Sequence, residues 1–265
     1  MKPIFLSSLL LRGWQSVVFI LTLGISMSAC STVTWKEEVA LHDGNKIIVT
    51  RTNTYDPKGL REIGQPPPLA ESTLTFTVPG TKKEITWKSD FGRGYQDNLS
   101  LLLFDFSNGV PYIATHPKFC HGYNKWERPN PPYVFFKFED EWKRIPLEQF
   151  PAELKEANVV ISPGPNEYVI KKIQEMTSSI GFVPIEKIKG FNRDSEKDYR
   201  IIARKPIQTA YTACEKVIYN GNGGWLGIDW FTSQPSYDAC LKACAQKKVS
   251  AQYCPCATLF KEKEK

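Results

Sequence analysis

Seven cysteines and three histidines carry most of the chemistry open to this 265-residue chain. Six of the cysteines, Cys120, Cys214, Cys240, Cys244, Cys254 and Cys256, follow the first, Cys30. An even set in an oxidising compartment reads first as disulfides. Cys240 and Cys244 are four apart and share a face if the segment is helical, while Cys254 and Cys256 share a face if theirs is extended. A helix stapled to a returning segment by two nested bridges satisfies both spacings. Spacing alone does not fix connectivity; the pairing expected is Cys240–Cys256, Cys244–Cys254 and Cys120–Cys214. The alternative is metal, since four thiolates could surround zinc. Zinc sites usually show paired C-x2-C knuckles, however, and these are missing. A copper carrier would want a helper His or Met, and none lies between Pro235 and Lys265. The C-x-x-C of thiol–disulfide oxidoreductases is absent.

Two further stretches could bind something. "HPKFCHG" gathers His116 and His121 around Cys120, and soft imidazole and thiolate ligands suit a transition metal. The segment contains proline and follows an extended run, so the simpler expectation is a surface loop. "YNGNGGWLGIDWF" presents Tyr219, Trp225 and Trp230 around glycines, which suits a sugar or peptide face. It fails the dinucleotide fingerprint, because Leu226 stands in place of the last glycine and no βαβ unit surrounds it. The plainer reading is a flexible turn whose tryptophans pack inward. Nucleophile-elbow, S-x-x-K, H-E-x-x-H, P-loop and EF-hand patterns are all missing. The sequence therefore leans away from an enzyme, and no cofactor is expected. Convergence of His116, His121 and an acidic side chain in a cleft would reverse that expectation.

The elements that must position these residues begin as antiparallel β. From Val33 to Ile145 about eight strands are expected, in a meander of sandwich or barrel type. Val33, Trp35, Val39 and Leu41 alternate before "DG" at Asp43-Gly44, which predicts a two-residue hairpin turn. "TLTFTV" puts Leu74, Phe76 and Val78 on one face, and "EITWK" follows with Ile85 and Trp87. "LSLLLFDF" is apolar on both faces and predicts a central strand; "NG" at Asn108-Gly109 then returns the chain. "YVFFKFEDEWKRI" is a further hairpin turning near Glu139-Asp140. "GQPPPL" and "RPNPPYVFF" read as stiff loops leading into strands rather than as ligands for aromatic grooves. Beyond Pro146 helices enter. Val169, Ile173, Met176 and Ile180 form one stripe, and "PSYDACLKACAQKK" predicts a second helix with Ser236 as N-cap. The predicted organisation is a signal peptide over 1–29, a β domain over 30–145, a mixed α/β extension over 146–235, and a cysteine-rich lobe with a charged tail over 236–265.

Cys30 stands apart. Lys2 and Arg12 precede an apolar stretch, Val17 to Ile25, and small residues approach the cysteine: a secretory signal layout. The 16 residues from Trp14 to Ala29 fall short of the roughly 20 that cross a bilayer. Met27-Ser28-Ala29-Cys30 resembles the lipobox of bacterial lipoproteins, with Met27 where Leu is usual. The resemblance implies cleavage before Cys30, acylation of its thiol and anchoring by acyl chains. Ser31 after the cysteine implies the outer membrane, with the body facing the periplasm or the cell surface; ordinary secretion with Cys30 in a disulfide is the alternative. Removing 29 of 265 residues leaves 236, and losing Lys2 and Arg12 lowers the formal charge from +6 to +4. The remaining charges are scattered and "KEKEK" at the C-terminus is balanced, so no nucleic-acid partner is expected.

Trp35, Asp43-Gly44, Pro129 to Phe136, Trp142 and Arg144 to Pro146 together resemble an uncharacterised lipoprotein family of Gram-negative bacteria, over about half the chain. The resemblance brings no activity with it. The first expectation, held apart from that resemblance, is a lipid-anchored envelope component that binds or scaffolds a protein or glycan partner. The alternatives are an envelope enzyme acting on glycan or peptide, and a metal-binding envelope protein.

Overall fold

Strict alternation of apolar and polar residues dictates most of the architecture. The computed structural model describes residues 31–56, 69–89, 99–161, 167–195 and 200–261. The signal segment with Cys30, and the "GQPPP" of the first proline-rich stretch, lie outside the described residues. β1 (Ser31–Ala40), β2 (Lys46–Tyr55), β3 (Leu69–Thr77) and β4 (Glu84–Lys88) form one antiparallel sheet in chain order. β5 (Leu99–Ser107), β6 (Val110–Pro117), β7 (Val134–Phe138) and β8 (Trp142–Ile145) form a second. Leu74 and Phe76 on β3 and Ile85 and Trp87 on β4 are buried, and the residues between them face out. A slip of one residue would expose this whole set, at roughly 1.5–3 kcal/mol per large side chain, so the register is strongly fixed. These side chains meet Phe104, Phe106 and Ile113 of the second sheet in one core. The Phe76 and Phe104 ring centroids are 4.4 Å apart.

The turns follow their chemistry with one correction. Asn108 and Gly109 both take positive φ, 51° and 75°, and join Ser107 directly to Val110 in a two-residue turn. The "DG" turn is longer than expected. The Leu41 N–H donates to Asn45 O and the Gly44 N–H to Leu41 O, so His42, Asp43 and Gly44 form a three-residue loop. Gly44, at φ 89°, supplies the left-handed residue that this loop requires.

The strand read as central, β5, is an edge strand, yet all nine of its residues are buried. Its exposed edge is covered by the segment that follows β8. Asn158 accepts from the Phe104 N–H at 3.0 Å and its amide donates to Phe104 O at 2.7 Å. The same amide donates to Ala40 O on β1 at 2.9 Å, so one side chain closes the seam between the two sheets. A strand roofed at its edge and packed on both faces has the same apolar sequence as a central one.

α1 spans Phe119–Lys125, α2 Glu167–Thr177, α3 Ile185–Ser195, α4 Asp229–Thr232, α5 Tyr237–Gln246 and α6 Cys256–Lys261. Ile173 and Met176 of α2 pack with Trp35, Val160, Val183 and Ile188 beside β1. The expected stripe stops there: Ile180 lies beyond the helix and is exposed, and the Val169 side chain is outside the described set. Ser236 caps α5, its Oγ accepting from the Ala239 N–H at 3.2 Å. A small sheet of β9 (Val217–Tyr219) and β10 (Trp225–Gly227) precedes α4. The cysteine-rich lobe draws its core from Ile218 onward, with Phe231 and Val249 buried among the cysteines. No helix among the described residues is long and apolar enough to cross a membrane.

Candidate functional site

The most chemically organised place is one that sequence reasoning missed. Asp105 interrupts the apolar run of β5 and is almost wholly buried at its side chain, so it must find partners. The β1–β2 loop supplies them. The His42 backbone N–H donates to Asp105 Oδ2 at 2.9 Å and its Nδ1–H to Oδ1 at 3.0 Å, while the Phe106 N–H donates to Oδ1 at 2.7 Å. These bonds hold the imidazole in the tautomer that leaves Nε2 as the acceptor. The Asp105 hydrogen bond raises the His42 pKa above its ordinary value. Burial pushes the Asp105 carboxyl upward, opposed by the hydrogen bonds from His42 and Phe106.

His42 borders two cavities. A cleft of ≈ 340 Å³ follows the seam between β1 and β5, where His42 and Asp105 meet Glu153, Lys155, Asn158 and Lys189. A larger opening of ≈ 890 Å³ lies among three hairpin tips: Leu41–Ile47, Thr77–Thr81 and Phe106–Gly109. Both volumes suit a small ligand. A His–Asp pair of this kind could draw a proton from a bound water or hydroxyl. The nearby hydroxyl is already committed, because Ser107 Oγ donates to Glu153 Oε1 at 2.6 Å. That bond is the leading cause of the lowered Glu153 pKa. Among the described residues the arrangement supplies an orienting partner and a proton acceptor, and the Ser107 hydroxyl is held by Glu153.

The sequence-predicted candidates are dispersed. Cys120 is bridged to Cys214, with 5.3 Å between their Cα atoms, so its sulfur is not free to ligate a metal. His116 is buried on β6, its Nδ1–H donating to Pro117 O at 3.0 Å, and burial drives its pKa down to about 3. His121 sits on α1 rather than in the expected surface loop, and stacks on Trp225 at 4.7 Å with the rings 6° from parallel. The metal grouping of His116, Cys120 and His121 therefore does not assemble in this structure. Tyr219 and Trp225 do come together, 5.2 Å apart, but Trp230 lies elsewhere, exposed, with Lys247 Nζ 3.7 Å from its ring centre. The glycines beside them serve packing. A Cβ on Gly221 (φ +87°) would sit 2.3 Å from Ser250 Oγ, so only glycine lets the loop lie on the lobe. The loop is pinned there by the Ser250 N–H donating to Asn220 O.

The remaining pairs match their expectation. Cys240 bridges Cys256 and Cys244 bridges Cys254, with Cα separations of 5.8 and 5.9 Å. Cys256 opens α6 instead of continuing an extended segment, so the two sulfurs of Cys254-Pro255-Cys256 are brought to one side by a turn. Elsewhere, buried Glu37 and Arg51 form an ion pair at 3.4 Å, and Trp35 Nε1–H and the Val160 N–H also donate to Glu37. With its acceptors filled and no solvent access, this pair holds β1 and β2 against the Val160 segment.

Two signals could have exposed the His42–Asp105 site: a carboxylate inside a run of buried residues, and a histidine at a hairpin tip. Neither points to the other across 63 positions. No known protein family matches this chain, and neither the curated proteins nor the solved structures contain a match to it.

Proposed function

We propose that this is an exported, lipid-anchored envelope protein whose β-sandwich binds a polar ligand or partner at its hairpin-tip end, away from the membrane. The observation that carries the reading is β1. It begins at Ser31, the residue after Cys30, and runs without interruption to Ala40, two residues before His42. At about 3.3 Å per residue, β1 runs roughly 30 Å from Ser31 to its end beside the tip cavity. Export is supported by the three bridges, which use all six cysteines beyond Cys30. That leaves Cys30 as the seventh, at the position a lipobox would acylate.

The cleft mixes His42, Lys155 and Lys189 with Asp105, Glu153 and Glu156. Balanced, hydrogen-bonding walls suit a neutral or zwitterionic glycan or peptide better than a polyanion. Binding is favoured over turnover because Ser107 is tied to Glu153 rather than to His42. Replacing Cys30→Ala is expected to abolish lipid labelling and release the protein from membranes. A variant that stays membrane-bound sinks the anchor. Turnover of a glycan or peptide by the purified chain, lost in His42→Gln, would replace the binding reading with an enzymatic one.

A further inference from the structure

The two bridges of the C-terminal lobe lie against each other. Cys244 Sγ is 3.6 Å from Cys256 Sγ, and Cys254 Sγ is 3.4 Å from the same atom. Cys240, Cys244 and Cys256 have all their sulfurs within 4.8 Å of one another. We propose that these four cysteines, once reduced, form a tetrathiolate site for zinc(II), so that the lobe has two alternative cross-links, one of sulfur and one of metal.

Geometry carries the proposal. A tetrahedral zinc bound by four thiolates at about 2.3 Å sets its sulfurs about 3.8 Å apart. The two non-bonded contacts are already close to that edge. Opening the two bonded pairs to the same distance needs rotation about the Cα–Cβ bonds, because the Cα separations are already 5.8 and 5.9 Å. The backbone presents the sulfurs from two directions. Cys240 and Cys244 project from one face of α5, and Cys254 and Cys256 flank Pro255 in the turn that returns to it. The surroundings also fit. Cys240, Cys244 and Cys256 are buried, which excludes water from the ion, while Cys254 is half-buried and offers a reductant its point of attack. Lys242, Lys247 and Lys248 outnumber Asp238 along this segment and would offset the double negative charge of the filled site.

The chemistry balances with a dithiol as electron donor. Two equivalents of dithiol give up four electrons and four protons, become two disulfides, and leave four cysteine thiols. Zinc(II) then displaces four protons as four Zn–S bonds form. Missing C-x2-C knuckles argue against zinc from sequence, but a knuckle is one way to place two sulfurs, and a helix facing a turn is another.

The test uses the full mature chain. It is reduced with a phosphine, given zinc(II), desalted anaerobically, and assayed for zinc and for alkylatable cysteines. The expected result is one zinc per chain, with Cys240, Cys244, Cys254 and Cys256 protected and Cys120 and Cys214 alkylated. Cobalt(II) in place of zinc should give the intense sulfur-to-cobalt charge-transfer and visible bands of a four-thiolate tetrahedral site. Retention no higher than that of the unreduced protein overturns the proposal, as does equal retention by Cys254→Ser/Cys256→Ser. A cobalt spectrum without thiolate bands overturns it too, and that reading is made on the unaltered chain, independent of how any variant folds.

Discussion

At the residue scale, two histidines are perturbed in opposite directions for opposite reasons. His42 gains a carboxylate partner and its pKa rises from the ordinary 6.5, whereas His116 loses water and its pKa falls to about 3. The linkage signs follow. The folded state holds the His42 proton more tightly than the unfolded chain does. Its contribution is therefore full below the ordinary value and is lost as pH rises through the folded pKa. For His116 the unfolded chain holds the proton more tightly, so that contribution is present above 6.5 and is lost as pH falls toward 3. Denaturant midpoints measured against pH should separate them. The stability gap between the natural chain and His42→Gln is expected to narrow as pH rises from 6.5 through the raised folded pKa. His116→Gln should flatten the loss of stability on acidification, which is worth a few kcal/mol at about 1.4 kcal/mol per pKa unit. An acid limb unchanged in His116→Gln would show that another buried group controls it.

At the element scale, the unusual part is β5. An edge strand with a row of unpaired backbone groups would invite other chains, and this one is closed instead by one residue, whose backbone N–H donates to Leu102 O and whose side-chain amide bonds Phe104. Asn158 satisfies both backbone groups of Phe104 and one carbonyl of β1, doing at one point what a paired strand would do. Asn158→Ala should therefore cost about 2–3 kcal/mol, since it strands buried donors and acceptors rather than removing apolar surface. Amide exchange at Phe104 should quicken more than exchange elsewhere on β5. If stability and that amide are both unchanged, water or a neighbouring chain segment does the sealing and Asn158 does not. The same seam holds the His42–Asp105 cleft, so the device that closes the edge also sets one wall of the candidate site.

At the scale of the molecule, the sandwich and the lobe rest on different physics. The sheets share a large aromatic core, with Phe76, Trp87 and Phe104 fully buried. The lobe buries little more than Phe231 and Val249 around its sulfurs. Bridges typically contribute 2–4 kcal/mol each, and small units depend on them most. Reduction without added metal should therefore raise hydrogen exchange across residues 217–260 first, while amides of β2, β3 and β6 stay protected. Simultaneous loss of protection in both regions would show that the lobe and the sandwich unfold as one.

What the sequence determined by itself is whatever depends on near neighbours. Alternation in "TLTFTV" selects a strand and its buried face, because side chains there repeat every two residues. The "NG" pair selects its turn because both residues tolerate positive φ. Ser236 caps its helix from three residues away. The spacings of four and two made the C-terminal cysteines candidates for bridging, but which sulfur meets which was decided by the turn at Pro255 that carries Cys254 and Cys256 back to the helix. The tertiary structure alone decided what depends on the meeting of distant segments. Nothing in "LSLLLFDF" distinguishes a central strand from a roofed edge, since both bury two faces. Nothing local assigns His42 to Asp105 or withholds Ser107 from His42. In "HPKFCHG" adjacency in the chain alone offers a ligand set as the alternative to a surface loop. The fold sent one imidazole into the core and the other onto Trp225, and tied the thiol to Cys214. Adjacency in sequence fixes where a side chain starts; packing between elements fixes what it meets.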